Sequence, residues 1–265
     1  PLVVLHAACI AGMYLLLKRL LGFRTAIVAA ILIALDPFHI ALSRVLHIDG
    51  AASDFMMLSL LVLLFSLYDR NRLVLLSGAL AGLAFLSKSY SLFLLPFAAL
   101  VLGAFGILQG RPLRQAVLAF VGWCLTAGAV FSLLCPAMWV DPVGTERSVL
   151  NTAFGYAAAL SGTAEFFWGR VVEAAGPLFY PVAVAFRTTP LVWLGLLTFF
   201  VLAVRALWLV LRGTHAWREA VAECWFPAVI LLVYICLFCA AISLADKKFD
   251  RYMLPAILAL DIVAA

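Results

Sequence analysis

Charge is scarce in this sequence. Only 12% of its 265 residues are Asp, Glu, Lys or Arg, 67% are hydrophobic, and the mean hydropathy is +1.16. A soluble globular domain carries about a quarter charged residues and about half apolar ones. The composition therefore excludes a soluble domain and predicts an integral membrane protein. The net charge of +5 is spread along the chain, so we expect no nucleic-acid partner.

Signatures of other protein classes are missing as well. The ten-residue alternating segments of a transmembrane β-barrel are absent, so the long apolar runs predict helices. No glycine-rich phosphate loop is present, and no carboxylate pair is spaced for a metal, so we expect neither metal nor other cofactor. The six cysteines lie in or beside apolar runs. We interpret all of them, including Cys236 and Cys239 of a C-x-x-C, as small hydrophobic residues.

What the sequence does contain is a series of long apolar runs, which predict an all-α, polytopic transmembrane helix bundle. The runs lie near 1–17, 25–42, 52–68, 73–87, 90–108, 115–135, 189–211, 224–244 and 252–265. The chain begins abruptly, without Met, and its last apolar run is too short to cross about 30 Å as a helix. We therefore expect a single transmembrane domain over 1–265 that is a fragment of a longer chain and inactive by itself.

The basic residues between the runs predict the orientation. Ten of them face one side: Lys18, Arg19, Arg24, Arg70, Arg72, Arg111, Arg114, Arg205, Arg212 and Arg218. Five face the other: Arg44, Lys88, Lys247, Lys248 and Arg251. The positive-inside rule makes the first side cytoplasmic, in an inner-membrane protein. We place most of the acids, among them Asp36, Asp49 and Asp54, on the outer face, with an extracytoplasmic loop over 136–188 that carries short interfacial helices.

Lys88 stands out because it is the only charge in the 36 residues from 73 to 108. The stretch predicts two helices joined by a tight turn at 87–91. A charged side chain within a membrane span costs roughly several kcal/mol of free energy unless it is hydrated or paired. Two interpretations stay open: a lysine that snorkels to the interface, or an ammonium directed at an anionic ligand at the outer boundary.

The segment 36–54 carries a second polar group. A local ion pair between Arg44 and Asp49 is one interpretation. The alternative is that Arg44 contacts a phosphate while Asp49 orients a sugar hydroxyl or pairs with another cation. We interpret His39 and His47 as interfacial polar groups rather than as metal ligands.

The segment 245–255, ADKKFDRYMLP, places five charges within six residues, between apolar runs and on the outer side. If Lys248, Arg251 and Tyr252 enter the next helix, their i, i+3, i+4 spacing puts them on one face, and Pro255 fits its first turn. A guanidinium and an ammonium together suit a phosphate. A solvated helix cap is the alternative.

These segments together resemble a known family. The segments, in chain order, are SRVLHID (43–49), LAFLSKSYSLFLLP (83–96), PAMWVDPVGT (136–145), GPLFYPVAVAFRTTPL (176–191) and KKFDRYMLP (247–255). The set resembles bacterial glycosyltransferases of family 39, of the ArnT and protein-mannosyltransferase type in the GT-C superfamily. The resemblance implies a GT-C-like bundle that transfers a sugar from a polyprenyl-phosphate donor to an acceptor on the extracytoplasmic side.

The resemblance also implies roles for particular residues. Arg44, Lys88, Lys248 and Arg251 become expected phosphate contacts, Asp49 a structural or sugar-orienting acid, and Tyr252 part of the cavity wall. The family's catalytic acid lies in the first outer loop, which the alignment places before Pro1, so no catalytic base is assigned here. The expected partners are the lipid-linked donor, membrane lipids, and an acceptor that is a lipid, a glycan or a protein.

Two other functions stay open. A transporter or flippase for a lipid-linked anion would carry charges in the middle of its spans, and the sequence shows few. A non-catalytic membrane scaffold would tolerate replacement of the outer cations by glutamine.

Overall fold

The computed structural model describes residues 2–44, 47–68, 73–158, 165–172, 176–212, 215–245 and 248–265. Its helices are α1 Leu2–Leu20, α2 Phe23–Leu35, α3 Pro37–Arg44, α4 Ile48–Tyr68, α5 Leu73–Ser87, α6 Leu94–Leu108, α7 Leu113–Leu134, α8 Ala137–Val140, α9 Pro142–Ala158, α10 Phe179–Arg187, α11 Pro190–Leu211, α12 His215–Ser243 and α13 Leu254–Ala264. Two short strands, β1 Glu165–Phe167 and β2 Arg170–Val172, form an antiparallel pair. Two 3₁₀ turns, Ser89–Phe93 and Asp250–Met253, precede α6 and α13.

The predicted all-α, polytopic transmembrane bundle is confirmed. Six helices within the described ranges are long and apolar enough to span a membrane, and α2 with α3 makes a seventh if that bent pair is one span. The pair bends by 54° at Asp36, the residue that separates the two helices. The apolar runs of the sequence fall on these helices because a span must satisfy its backbone hydrogen bonds internally.

The centre of the bundle is α4. In its most apolar window 83% of the residues are buried, against 11% in both α7 and α11. It packs against α5, α1 and α13. A helix that is apolar on every face is stable only where every face is covered, by protein or by lipid. The helices α7 and α11, apolar but exposed, are therefore the lipid-facing ones.

Helices α5 and α7 approach closely through a small-residue stripe. Gly78 and Gly82 form a G-x-x-x-G on α5. A Cβ added at Gly78 would overlap the carbonyl oxygen of Trp123, and one at Gly82 would lie 2.6 Å from the carbonyl oxygen of Ala127. Small residues at this spacing let two helix backbones meet, which is how spans associate in lipid.

Gly78→Ala is expected to destabilise the bundle. The added Cβ would overlap backbone atoms of α7, which cannot move aside as a flexible side chain could. Overpacking of this kind costs about 1–3 kcal/mol. The measurement is the midpoint of thermal unfolding of the purified protein in detergent. Gly103→Ala on α6 is the matched control, since a Cβ there meets nothing within 4 Å and alanine favours a helix. A Gly78→Ala midpoint equal to that of Gly103→Ala would contradict the close packing.

The described part of the segment 136–188 contains α8, α9, the strand pair and α10. The expected short helices are therefore present. Asp141 accepts a hydrogen bond from the backbone N–H of Gly144 at 2.9 Å and so caps α9. The strand pair was not predicted. Its two-residue connection, Trp168–Gly169, has φ values of +55° and +78°, as the type I′ hairpin turn requires.

Candidate functional site

Two tight connections bring basic side chains to the starts of core helices. Lys88 is extended and caps the 3₁₀ turn Ser89–Phe93, which continues into α6. Arg251 lies in the 3₁₀ turn Asp250–Met253, which continues into α13, with Pro255 in the first turn of that helix as predicted. Each turn places a cation at one end of an apolar span, where water and lipid headgroups are within reach.

Both cations meet the same carboxylate. Asp49, in the first turn of α4, is completely buried. Its Oδ1 lies 3.4 Å from the Lys88 Nζ, and its Oδ2 lies 3.4 Å from the Arg251 Nε and 2.6 Å from the His47 Nδ1. Residues that are up to 204 positions apart in the chain, His47 and Arg251, therefore surround one acidic group. We call Asp49, Lys88 and Arg251, with His47, the Asp49 cluster.

The Asp49 cluster carries an excess of positive charge. One carboxylate faces a lysine and an arginine, which leaves a net charge of +1 even when His47 is neutral. Neither carboxylate oxygen makes a geometrically sound hydrogen bond with the described residues. The two contacts at 3.4 Å are thus ion pairs rather than directed bonds. The ion pair of Arg251 uses Nε, so its two terminal nitrogens lie outside that pair, on a side chain that is 32% exposed. The cluster has spare donors for an anion.

Aromatic rings lie beside the two cations of the Asp49 cluster. The Lys88 ammonium lies 5.7 Å from the centroid of the Tyr252 ring, and the Arg251 guanidinium lies 4.2 Å from that of Phe249. Tyr90 packs on Tyr252 with centroids 5.4 Å apart and donates from its hydroxyl to the carbonyl oxygen of Asp49 at 3.5 Å. Rings beside a cation hold it in place while they leave its charge available.

Two of the other expected contacts lie apart. Arg44 is exposed at the end of α3 and forms no ion pair within the described ranges, so the local pair with Asp49 is not the arrangement seen. Lys248 is buried before the 3₁₀ turn rather than inside a helix, because the helix begins later than predicted, and its Nζ donates to the carbonyl oxygen of Ala245 at 2.8 Å. The neighbouring 246 and 247 lie outside the described residues.

Asp250 is engaged elsewhere. Its Oδ1 accepts from its neighbour's backbone, the Arg251 N–H, at 2.8 Å, and its Oδ2 pairs with Arg187. The first contact holds the 3₁₀ turn, and the second joins that turn to α10. Asp250 therefore positions Arg251 through the backbone rather than neutralising its side chain.

A second polar group lies in the bundle and has no signal in the sequence. His6, His39 and Asp54 come from α1, α3 and α4 and are all buried. The burial of His39 and Asp54 within the protein was not predicted. The placement of His39 at the interface and of Asp54 on the outer face stays a prediction. Both pack inside, because α3 folds back against α4. The contacts that join the three residues span 48 positions, so no local spacing could have revealed them.

The fold and the Asp49 cluster together define a multi-pass helical membrane protein with a cluster of basic side chains at the ends of its core helices. The comparisons with known proteins identify the family. The chain belongs to the family described as dolichyl-phosphate-mannose-protein mannosyltransferase, whose model matches residues 1–139. The match includes Asp49 and Lys88, and it confirms the resemblance to GT-C glycosyltransferases. No curated protein matches the chain.

A solved structure has the same fold. The crystal structure of ArnT from Cupriavidus metallidurans bound to undecaprenyl phosphate superposes with a TM-score of 0.60 at 15% sequence identity. The superposition covers 99% of this chain and 44% of that protein. The chain therefore spans less than half the length of a protein with this fold.

Proposed function

We propose that the protein containing this chain is an inner-membrane glycosyltransferase. It takes a sugar from a polyprenyl-phosphate donor and transfers it to an acceptor on the extracytoplasmic side. The Asp49 cluster is the proposed site for the donor phosphate, and 136–188 is the proposed extracytoplasmic loop. This end of the bundle faces outward in the orientation that the basic residues predict.

The observation that carries the proposal is the meeting of Lys88 and Arg251 at one buried carboxylate. Placing charges beside apolar spans costs free energy, and a single acid cannot neutralise both cations. A phosphate monoester or diester brings the missing negative charge. The phosphate of a polyprenyl donor lies at the membrane boundary, where the polyprenyl chain stays in lipid and these cations are found. Family membership and the lipid phosphate bound to the ArnT structure agree with this ligand.

The two cations suit the chemistry of the transfer. In a direct displacement at the anomeric carbon, the acceptor oxygen forms a bond to that carbon while the bond to the phosphate oxygen breaks. The bonding electrons leave with the polyprenyl phosphate, whose negative charge grows. Lys88 and Arg251 stabilise that charge more in the transition state than in the bound donor, which lowers the barrier.

Asp49 has a positioning role in this proposal. It lies behind the cations and holds both of them from its buried place in α4, while the exposed sides of Lys88 and Arg251 face the ligand. Tyr252 forms part of the wall. Arg44 and Lys248 stay predictions from the sequence, since neither contacts Asp49. No residue of this chain is assigned the removal of the acceptor proton.

Binding of undecaprenyl phosphate by the purified full-length protein tests the proposal. We expect the lipid phosphate to raise the midpoint of thermal unfolding and the uncharged undecaprenol to have little effect, because the cluster recognises the phosphate. Lys88→Ala is expected to weaken binding at least about tenfold, the loss of one charge-assisted contact. Lys18→Ala, an exposed lysine at the end of α1, is the matched control and keeps wild-type affinity.

Assays of the protein reconstituted into lipid vesicles distinguish a transferase from a transporter. Donor-dependent transfer of a labelled sugar supports the transferase. Movement of the lipid-linked anion across the bilayer without transfer would support the transporter instead. Equal binding of undecaprenyl phosphate and undecaprenol, in a folded protein, would remove the phosphate site from the proposal.

A further inference from the structure

The buried group of His6, His39 and Asp54 has the geometry of a ligand set. His6 Nδ1 lies 2.6 Å from Asp54 Oδ2, and His39 Nε2 lies 3.0 Å from Asp54 Oδ1. One donor atom from each of the three residues lies within 4.8 Å of the others. The two imidazole rings meet edge to face with centroids 5.9 Å apart. Three donors from three helices converge on one small volume.

The protonation of the His39 ring indicates that a cation or a proton lies between His39 and Asp54. Its Nδ1 lies 3.2 Å from the carbonyl oxygen of Ile33, which can only accept a hydrogen bond. Nδ1 therefore carries the proton, and in a neutral ring the lone pair of Nε2 faces the carboxylate oxygen of Asp54. Two acceptors at 3.0 Å repel unless a cation or an additional proton lies between them. A ring N–H bound to a carbonyl is the usual way in which a metal-ligating histidine is oriented.

Among the described residues, the carboxylates of this group meet histidine and backbone donors but no basic side chain. Asp54 and the nearby Asp36 are both buried, and no lysine or arginine pairs with either of them within the described ranges. Asp36 accepts from the His39 backbone N–H at 2.7 Å, while its other carboxylate oxygen has no partner among the described residues. A buried carboxylate that carries a negative charge needs compensation in an apolar bundle. A single dication supplies it.

We propose that His6, His39 and Asp54 bind one divalent transition-metal ion, with zinc the best match to the donor set. Two imidazole nitrogens and one carboxylate oxygen suit zinc, which favours nitrogen ligands and tetrahedral sites. A fourth ligand is available on α1. Cys9 lies one helical turn after His6 and is buried on the same side of that helix. Calcium and magnesium prefer all-oxygen sites.

The metal has a structural role at this position. It joins α1, α3 and α4, and Asp54 follows Asp49 on α4 by about 7.5 Å at the usual helical rise. The close approach of α1 is permitted by Gly50, where a Cβ would lie 3.0 Å from the His6 ring. The ion therefore fixes the end of α4 that carries Asp49. It does not contact the Asp49 cluster, and the site exists whether or not that cluster binds a lipid phosphate.

Metal content tests the site without reference to activity. The full-length protein is purified in detergent, stripped with chelator, dialysed against zinc and assayed by elemental mass spectrometry. We expect about one tightly bound zinc ion per chain and a rise of about 5 °C or more in the unfolding midpoint when zinc is at saturating concentration. His39→Gln is expected to weaken binding by more than about 100-fold, since it removes a ligand rather than an outer partner.

His47→Gln is the matched control, because His47 lies outside the ligand set and is expected to leave zinc binding unchanged. Zinc X-ray absorption of the wild-type protein should show about two imidazole ligands, and it requires no variant to fold. Wild-type protein that binds no zinc would show that the three residues form only a hydrogen-bonded His–Asp–His group. Equal zinc affinity in His39→Gln, or an absorption spectrum without imidazole, would overturn the proposal equally.

Discussion

Arg251→Ala is expected to lower donor-dependent sugar transfer by about 100-fold or more, the usual effect of removing one preorganised group from a developing negative charge. The guanidinium lies in the Asp49 cluster, at ion-pair distance from a buried acid and against the Phe249 ring. These contacts fix it before the substrate arrives. Steady-state transfer by the full-length protein in proteoliposomes gives the measurement.

The kinetic parameters distinguish a transition-state contact from a simple binding contact. The bound donor is a phosphodiester with one negative charge, whereas the departing polyprenyl phosphate approaches two, since the second phosphate pKa is about 6. A cation that meets this group gains interaction as the bond breaks. We therefore expect kcat to fall more than KM rises in Arg251→Ala. A change confined to KM would assign Arg251 to donor binding alone.

Two further variants make the result specific. Arg251→Lys keeps the charge but loses the bidentate fork, so an intermediate activity is expected. Arg19→Ala removes an exposed arginine at the end of α1 and is expected to leave transfer unchanged. A folded Arg251→Ala protein with transfer close to wild type would remove this residue from the proposed site.

The sequence predicts features that depend on residues close together in the chain, and the structure adds the contacts between residues that are far apart in it. The helices were predictable because each apolar run has to cover its own backbone within a membrane. Lys88 was noticeable because no other charge lies within its 36-residue stretch. The same local reasoning could not foresee the strand pair, whose strands of three residues each are too short to show alternation.

Partners in space are decided by packing, which local sequence does not record. For Asp49 the sequence offered Arg44 as its nearest basic neighbour, yet the structure pairs Asp49 with Lys88 and Arg251. The buried position of Asp54 was missed for the same reason, since His6 and His39 reach it from other helices. Charges within a membrane bundle are therefore best interpreted by asking which distant cation neutralises each buried acid.

Asp49→Asn is the second large expected effect, and here the change is in stability. Asparagine has nearly the same shape but no charge, so Lys88 and Arg251 repel each other without a shared counter-ion. Breaking a buried ion pair costs about 3–5 kcal/mol. The cations here are 20% and 32% exposed, so they regain part of their hydration and we expect about 3 kcal/mol or less. Thermal unfolding in detergent measures the loss.

The matched control is Asp250→Asn, because Asp250 is 35% exposed and pairs with Arg187, which is itself half exposed. Such a pair is worth about 1 kcal/mol or less. A second replacement tests the cause: in Asp49→Asn, the further change Lys88→Gln removes one of the two repelling charges and is expected to restore part of the stability. Coupling of this kind is measurable by a double-mutant cycle. If the two replacements were instead additive, with Asp49→Asn no more destabilising than Asp250→Asn, the buried carboxylate would not be what holds the two cations together.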